Sequence, residues 1–228
     1  GTSSLLGIRT DLQFGKLKLS TIIAQKKSAT SSVQTKGGVQ LSSFEFSADD
    51  YDENRHFFLA QYFREHYDEN MAQLPNILSG ITINRVEVWV TNKTGQTTNT
   101  RNVIALTDLG EASKIHNPLW TPGSTTVPAN AANTLYNIVS GINGVRNIST
   151  ATSALDGFGL TGGVDYEKLE SARLLSPSEY KVNTALGYIS LRSALQPDQV
   201  LAVAFEYTYR GTNYQVGEFS TDRKDNTE

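Results

Sequence analysis

Residues 81–91, ITINRVEVWVT, alternate apolar and polar side chains, with one shift of phase near Asn84 and Arg85. Because successive side chains of a β-strand point to opposite faces, this period of two predicts a strand with one buried face. The phase shift predicts a β-bulge, where an extra residue enters the ladder. The same pattern, less regular, predicts further strands over residues 4–27, 39–47, 103–110, 187–195, 198–210 and 212–220. The last two are joined by RGTN, which predicts a hairpin.

Helical patterns are fewer. Over residues 55–70, large side chains recur at spacings of three and four, which predicts one broad apolar helix face. The side chains on this face are Phe58, Leu59, Tyr62, Phe63, His66 and Tyr67. Shorter helices are predicted over residues 131–141, which end at a glycine, and over residues 164–175, where Asp165 is the capping residue.

The order of these elements predicts the fold class and the domains. Strands precede and follow the helices, which indicates a β-rich α+β fold, an antiparallel sheet or sandwich with inserted helices. We predict N-terminal strands over residues 1–48, an aromatic helix and linker over 49–80, and a β-rich domain over 81–228. Residues 110 to 180 carry three prolines and many Asn, Ser and Gly residues in their first half, and are predicted to form a helical insertion in that domain.

The N-terminal segment, residues 4–27, allows two interpretations. Leu17, Leu19, Thr21 and Ile23 share one face of a strand, and the preceding residues alternate in the same way. A half-buried antiparallel strand pair would show this pattern. Outer-membrane β-barrel strands, apolar toward lipid and about 9–11 residues long, would show it too. In either case we expect the segment to pair within this domain or with a neighbouring chain, because unpaired edges are unfavourable.

Composition excludes some classes of function. With 20 Lys and Arg against 23 Asp and Glu, the net charge is −3 and no basic block occurs. A nucleic-acid partner is therefore not expected, since phosphate binding draws on clustered Lys and Arg. There is no cysteine, which excludes disulfides, thiolate metal sites and a cysteine nucleophile.

The tetrapeptide YDEN occurs twice, at residues 51–54 and 67–70, which raises the question of a duplicated site. The first copy contains Asp50-x-Asp52-x-Asn54, the spacing that opens an EF-hand calcium loop. Such a loop needs Gly next and a bidentate Glu at its twelfth position, but Arg55 and Gln61 stand there. We therefore predict no calcium site, and interpret both copies as polar ends of the aromatic helix.

The three histidines form no recognisable catalytic or metal-binding motif. His56 and His66 are ten residues apart, which at about 100° per residue places them on different faces of a helix. His116 stands in KIHNPLW, without a motif around it, and no G-x-S-x-G nucleophile elbow is present. We predict that this domain is not an enzyme and has no metal site.

Gly157, Gly159 and Gly162 satisfy the spacing G-x-G-x-x-G. A dinucleotide site needs a hydrophobic strand immediately before these glycines, but STATSALD is a poor strand sequence. We therefore interpret the glycines as a loop and predict no cofactor.

Aromatic residues suggest an alternative function. We expect exposed aromatic side chains at Trp89, Trp120 and the tyrosine-rich residues 207–214, and these could stack on sugars. The alternative hypothesis is thus a carbohydrate-binding β-sandwich at the cell surface.

Several long stretches carry a family resemblance: LLGIRTDLQFGKLKLSTIIAQKK, FEFSADDYDENRHFFLAQYFRE, SGITINRVEVWVTN, TRNVIALTDLGE and YQVGEFSTD. They resemble the SprA/Sov family of very large outer-membrane proteins, which are linked to gliding motility and to the type 9 secretion system. The resemblance runs through nearly the whole chain in order and is loosest over residues 112–180.

The resemblance implies a function that composition does not reveal. Members of that family look like the translocon, a single-chain β-barrel channel for folded cargo. This chain would be a small, non-catalytic structural and interaction part of such a channel, at the outer membrane or cell surface. It would shape the channel mouth, with secreted cargo, accessory outer-membrane proteins and the rest of its own barrel chain as partners. The aromatic helix over residues 55–70 and the insertion over residues 112–180 are the surfaces expected to dock them.

Overall fold

The computed structural model describes residues 5–14, 17–26 and 52–222. The chain divides into two compact units, Gly1–Asp49 and Asp50–Glu228. The described strands form antiparallel sheets, with a few short helices between them, so the predicted β-rich α+β fold is confirmed. Within the described residues, no helix is both long enough and apolar enough to cross a membrane.

The N-terminal unit contains a β-hairpin. Strand β1 (Leu5–Phe14) pairs antiparallel with β2 (Leu17–Lys26), and the register runs from Leu5 opposite Lys26 to Phe14 opposite Leu17. The predicted pairing of this segment is therefore confirmed. A hairpin is compatible with both interpretations of the alternating pattern. The strand predicted over residues 39–47 lies outside the described residues.

In the larger unit, residues 52–222 form eight further strands and four helices. In chain order these are β3 (His56–Phe58), α1 (Gln61–Glu65), α2 (Tyr67–Met71), β4 (Ile81–Val90), β5 (Thr100–Leu106), α3 (Leu135–Gly141), α4 (Ile148–Gly157), β6 (Tyr166–Leu174), β7 (Tyr180–Asn183), β8 (Tyr188–Leu191), β9 (Leu201–Tyr209) and β10 (Thr212–Val216).

Five of these strands form one antiparallel sheet in the order β10-β9-β4-β6-β5. Strand β4 pairs with β9 along its whole length, and its register shifts between Ile83 and Arg85, so the predicted bulge is confirmed. The predicted hairpin of β9 and β10 is also confirmed. Its turn holds Arg210 and Gly211 at positive φ angles of 49° and 82°, as two-residue hairpin loops require.

A second antiparallel sheet has three strands in the order β3-β8-β7. Side chains from both sheets pack together with Phe63 of α1 in what we call the aromatic core. The buried members of this core are Leu59, Phe63, Ile81, Ile83, Val88, Val90, Leu175, Ile189, Leu191, Phe205, Tyr207 and Val216. Gly187 lies so close to Phe63 that a Cβ atom there would stand 2.5 Å from the ring.

A second apolar cluster, the insertion core, packs beneath β5 and β6. Its buried members come from α3, α4, the adjoining loops and the first residue of β6: Trp120, Leu135, Val139, Val145, Leu155, Leu160 and Tyr166. Helix α3 matches the helix predicted over residues 131–141 and ends at the predicted Gly141. Helix α4 was not predicted from the sequence. It begins where the Asn147 side chain accepts a hydrogen bond from the Ser149 N–H.

The single helix predicted over residues 55–70 is wrong. Residues 56–58 are extended and pair with β8, with His56 opposite Ser190, and the Leu59 N–H donates to the Gly187 carbonyl. Two five-residue helices then follow, α1 and α2, separated at His66. Pairing with β8 satisfies the backbone at one end of the segment, and it overrides a side-chain spacing that also suits a helix.

The helix predicted over residues 164–175 is also wrong, because these residues form strand β6. Its buried residues Tyr166, Leu169 and Ala172 recur every third position, which imitates a helix. Leu169 and Ala172 are buried in the same cluster because the register with β5 shifts between them, opposite Val103 and Arg101, whereas Tyr166 is buried in the insertion core. The helical part of the insertion therefore ends at Gly157, before β6 begins.

Candidate functional site

The structure gives the three histidines unrelated surroundings. His56 Nδ1 lies 2.8 Å from Ser190 Oγ, and its Nε2 lies 3.6 Å from Asp52 Oδ2. His66 Nδ1 lies 2.8 Å from the Tyr62 carbonyl oxygen, and its ring stacks on that of Tyr62. His116 donates its backbone N–H to Asp108. In residues 5–14, 17–26 and 52–222, no three His, Cys, Asp or Glu side chains are grouped to hold a metal ion.

The glycine motif lies between a helix and a strand, whereas a dinucleotide site needs the strand before the glycines and the helix after them. Gly157 ends helix α4, and Gly159 and Gly162 lie in the loop that leads to strand β6. Asp165 fixes this loop, because its carboxylate accepts hydrogen bonds from the Thr161 N–H at 2.7 Å and the Asn117 side-chain amide at 2.9 Å. The glycines therefore serve a loop, as their sequence context indicates.

Three of the aromatic side chains expected to contact sugars are buried: Trp89, Trp120 and Tyr207. Trp89 is 6% exposed and Trp120 is 4% exposed, so the expectation that both indoles face solvent is wrong. Tyr207 is fully buried, donates its hydroxyl to the Pro128 carbonyl, and stacks with Tyr214. Burial also raises the pKa of the Tyr207 hydroxyl far above its ordinary value. Trp120 and Tyr207 are thus core members, while Tyr209 and Tyr214 stay partly exposed and Trp89 borders the groove described next.

A groove of about 530 Å³, which we call the sheet groove, runs along strand β5. Residues 101–107 form one wall and residues 200–205, mostly of β9, form another. Helix α3 and the following loop contribute Tyr136, Val139 and Arg146, while the segment after β10, residues 216–220, borders the groove as well. The groove is thus assembled from four parts of the chain that are distant in sequence.

The segment after β10 is fastened by ion pairs and hydrogen bonds. Arg146 makes two bonds of 2.9 Å to the Glu218 carboxylate, which also accepts from the Tyr136 hydroxyl. The pairing with Glu218 raises the pKa of the Arg146 guanidinium. Arg101 of β5 donates to the Ser220 carbonyl oxygen at 2.8 Å, and therefore links the edge strand to this segment.

Buried Glu87 of β4 anchors the same segment from below. Its two oxygens accept hydrogen bonds from the N–H and the hydroxyl of Ser220, each at 2.9 Å. Arg85 stands with its guanidinium 3.7 Å from the centre of the Phe219 ring and bonds to Glu87 at 3.5 Å. Sequence reasoning missed these residues because the partners lie more than 130 positions apart. Their one signal in the sequence is the family-like stretch YQVGEFSTD, residues 214–222.

Only part of the predicted aromatic surface is exposed. Phe63 is 2% exposed and belongs to the core, whereas Phe58 is 37% exposed. The Phe58 ring lies edge-on to Tyr67 at 5.6 Å and to Tyr188 at 5.8 Å. We call Phe58, Tyr67 and Tyr188 the aromatic surface. Exposed apolar residues of the insertion, expected to be the second surface, are Leu119, Phe158 and Val164.

Comparison with known proteins identifies the family of the chain. The SprA_N family, described as motility related/secretion protein, matches residues 2–196. No curated protein matches the chain. The family match covers β1 to β8, the insertion and most of the residues that line the sheet groove, while β9 and β10 lie outside the matched range. Because it covers far more than half of the residues, the chain belongs to the SprA_N family of motility-related and secretion proteins.

Proposed function

We propose that this domain is a non-catalytic structural and interaction module of an outer-membrane protein-export channel of the type 9 secretion system, linked to gliding motility. The observation that carries the proposal is the match of residues 2–196 to a motility and secretion family. In this function the domain shapes the channel mouth and docks secreted cargo or accessory outer-membrane proteins. The remainder of its own large chain supplies the barrel.

The surfaces of the domain are consistent with docking. The sheet groove presents an apolar strand, β5, between charged side chains such as Arg101 and Glu167. The aromatic surface offers exposed rings, which are enriched where proteins bind one another. Buried acids of the domain, such as Glu87 and Asp165, are occupied by hydrogen bonds that hold loops and segments. Groups with such a structural role are poor candidates for acid–base catalysis.

Deletion in the full-length protein tests this proposal. We would replace residues 52–222 by a short Gly-Ser linker, because residues from Asp50 onward form one compact unit. A deletion starting at residue 81 would leave β3 and α1 without the sheets that cover them. We expect cargo secretion to fall while the level of the protein in the outer-membrane fraction stays normal. If secretion is unchanged while the protein is present at its normal level, the domain has no role in export and the proposal is wrong.

A matched pair of point variants refines the test. Phe58→Ser removes an exposed ring of the aromatic surface, and Phe158→Ser removes an exposed ring of the insertion. If docking uses the aromatic surface, only Phe58→Ser lowers secretion. If it uses the insertion, the order is reversed. If neither variant affects secretion, both surfaces are excluded as essential contacts, and the sheet groove is the remaining candidate.

A further inference from the structure

The two edge strands of the five-stranded sheet differ in whether other residues bond to their outer side. Strand β10 is covered, because the Asn130 N–H donates to the Gln215 carbonyl at 2.8 Å. The Asn130 side chain also bonds to both the N–H and the carbonyl of Gly217. At the other edge, residues 100–106 of β5 make backbone hydrogen bonds only to β6 within the described part of the chain. Natural proteins usually cover or interrupt such an edge.

The register identifies which groups of β5 point outward. The Thr107 N–H donates to the Asp165 carbonyl, so residue 107 faces the β6 side. In an antiparallel ladder, residues alternate between facing the partner and facing away. Val103 and Ala105 therefore bond to β6, whereas Ile104 and Leu106 direct their N–H and C=O groups away from it.

The residues that carry the outward groups, Ile104 and Leu106, are among those that line the sheet groove. Residues of both parities, from Arg101 to Thr107, line the groove, which is possible when the groove passes around the free edge of the strand. All seven residues of β5 are partly exposed, whereas β4 at the centre of the sheet buries Val88 completely. Edge strand and groove therefore form one continuous feature.

We propose that the edge of β5, which the described residues leave unpaired, binds an extended segment of another polypeptide, which adds to the sheet as a sixth strand. Only a peptide backbone repeats donors and acceptors at the spacing that Ile104 and Leu106 present. A second folded copy fits less well, because the groove walls, Arg146 and residues 216–220, flank the edge. The inference rests on the proposed docking function, since it takes the partner to be a polypeptide.

Charges beside the edge define the chemistry of the added strand. Arg101, Val103 and Ala105 share one face of β5, and Glu167 of β6 lies opposite Ala105 on that face. The face therefore runs from a cation, past apolar side chains, to a carboxylate. A complementary strand carries an acidic residue, an apolar residue and a basic residue at alternate positions.

Two probe peptides test this assignment with the complete 228-residue chain. One contains Glu-Thr-Val-Thr-Lys and the other Lys-Thr-Val-Thr-Glu, each flanked by serines, so that either strand direction is represented. Amide hydrogen exchange followed by NMR would report binding. We expect one peptide to slow exchange at Ile104 and Leu106 at least roughly tenfold, as added ladder bonds should. The Val103 and Ala105 amides, already bonded to β6, should change little.

A second measurement leaves the protein unaltered. Methylating alternate backbone nitrogens of the preferred peptide removes its donors and should abolish the slowing at Ile104 and Leu106. Slowing that persists with the methylated peptide would show side-chain contact without strand addition, and would overturn the proposal. Failure of both peptides at millimolar concentration would overturn it too. So would protection that increases with protein concentration alone, which indicates pairing of two copies.

Ile104→Pro and Ile104→Ala form a matched pair of variants. Proline removes an N–H that points away from β6, so the existing ladder is kept, while alanine removes a similar amount of side chain and keeps the N–H. We expect Ile104→Pro to weaken peptide binding at least roughly tenfold and Ile104→Ala to weaken it only slightly. Equal weakening by both variants would assign binding to the side chain and contradict strand addition.

The peptide test and the secretion test fail separately. If secretion drops on deletion of residues 52–222 but neither peptide binds, docking takes place at another surface. If a peptide binds the edge but the deletion leaves secretion unchanged, the edge accepts strands without a role in export.

Discussion

The aromatic core and the insertion core are stabilised in different ways. In the aromatic core, large rings meet directly: Phe63 lies edge-on to Tyr207 at 5.4 Å and tilted to Phe205 at 5.9 Å. In the insertion core, short helices and loops surround Trp120, Tyr166 and aliphatic side chains, and polar side chains hold the backbone in place. Paired strands satisfy each other's backbone hydrogen bonds, so the space between two sheets can be filled with apolar side chains. The backbone of a loop has no such partner strand, so a core built from loops requires buried polar side chains.

Three buried polar residues carry this role. The Asp108 carboxylate accepts from the backbone N–H groups of His116 and Asn117, both at 2.9 Å. The Asn133 amide donates to the carbonyls of Asp108 and Glu111, and its oxygen accepts from the Leu135 N–H at the start of α3. Asp165 fixes the loop before β6. Loss of apolar volume should therefore damage the aromatic core most, and loss of a hydrogen bond the insertion core.

The largest expected effect comes from Phe63→Ala. The ring is 2% exposed and packs against Phe205, Tyr207 and Gly187, so its removal leaves a cavity between two sheets. We expect the free energy of unfolding to fall by roughly 3–5 kcal/mol in urea denaturation. Phe58→Ala is the control, since that ring already faces water in part and should cost less. Equal losses would show that the aromatic core does not dominate stability.

The same difference explains what could be predicted from sequence. Strand β4, its bulge and the β9–β10 hairpin were predictable because alternation reports the burial of near neighbours. In β6 the alternation is broken, since Tyr166, Leu169 and Ala172 are buried at every third position beside a register shift. A spacing of three is typical of helices, so propensity and pattern both indicated the wrong element.

Residues 55–70 show a second limit. The spacing that suggested one helix is compatible with a strand followed by two short helices, and pairing with β8 decides between them. Local sequence patterns could not predict the sheet groove. It depends on contacts such as Arg101 to Ser220 and Arg146 to Glu218, between residues far apart in the chain. Periodicity describes neighbours along an element and contains no information on such pairs.

A smaller effect is expected from Asn133→Ala in the insertion core. Asn133 is 2% exposed, and its removal leaves two carbonyls and the Leu135 N–H without their side-chain partner. We expect a loss of roughly 1–3 kcal/mol in unfolding free energy, with faster amide exchange in α3 than in β9. Asn137→Ala, at an exposed position of the same helix, is the control and should cost little. A uniform rise in exchange would show instead that the two cores unfold as one.

The smallest effect tests the group that joins the two cores. The Glu111 carboxylate accepts from the Gln61 N–H at the start of α1, and its backbone carbonyl accepts from Asn133. Burial raises the pKa of Glu111, nearby Asp108 and Glu65 add to the rise, and the bond from Gln61 opposes it. The folded state therefore holds this proton more tightly than the unfolded state. Stability from this group is present below the ordinary Glu pKa of about 4.3 and is lost as pH rises through the raised value.

Glu111→Gln removes that titration while keeping an oxygen that accepts from Gln61. At pH 7 we expect the free energy of unfolding to rise, because the glutamine carries no charge that burial would destabilise. As pH rises above the ordinary Glu pKa, the wild-type chain should lose stability relative to the variant. Urea denaturation at several pH values measures both, with Glu53→Gln as an exposed control. A loss of stability at pH 7 would mean that the negative charge itself, and not the hydrogen bond to α1, connects the aromatic core to the insertion core.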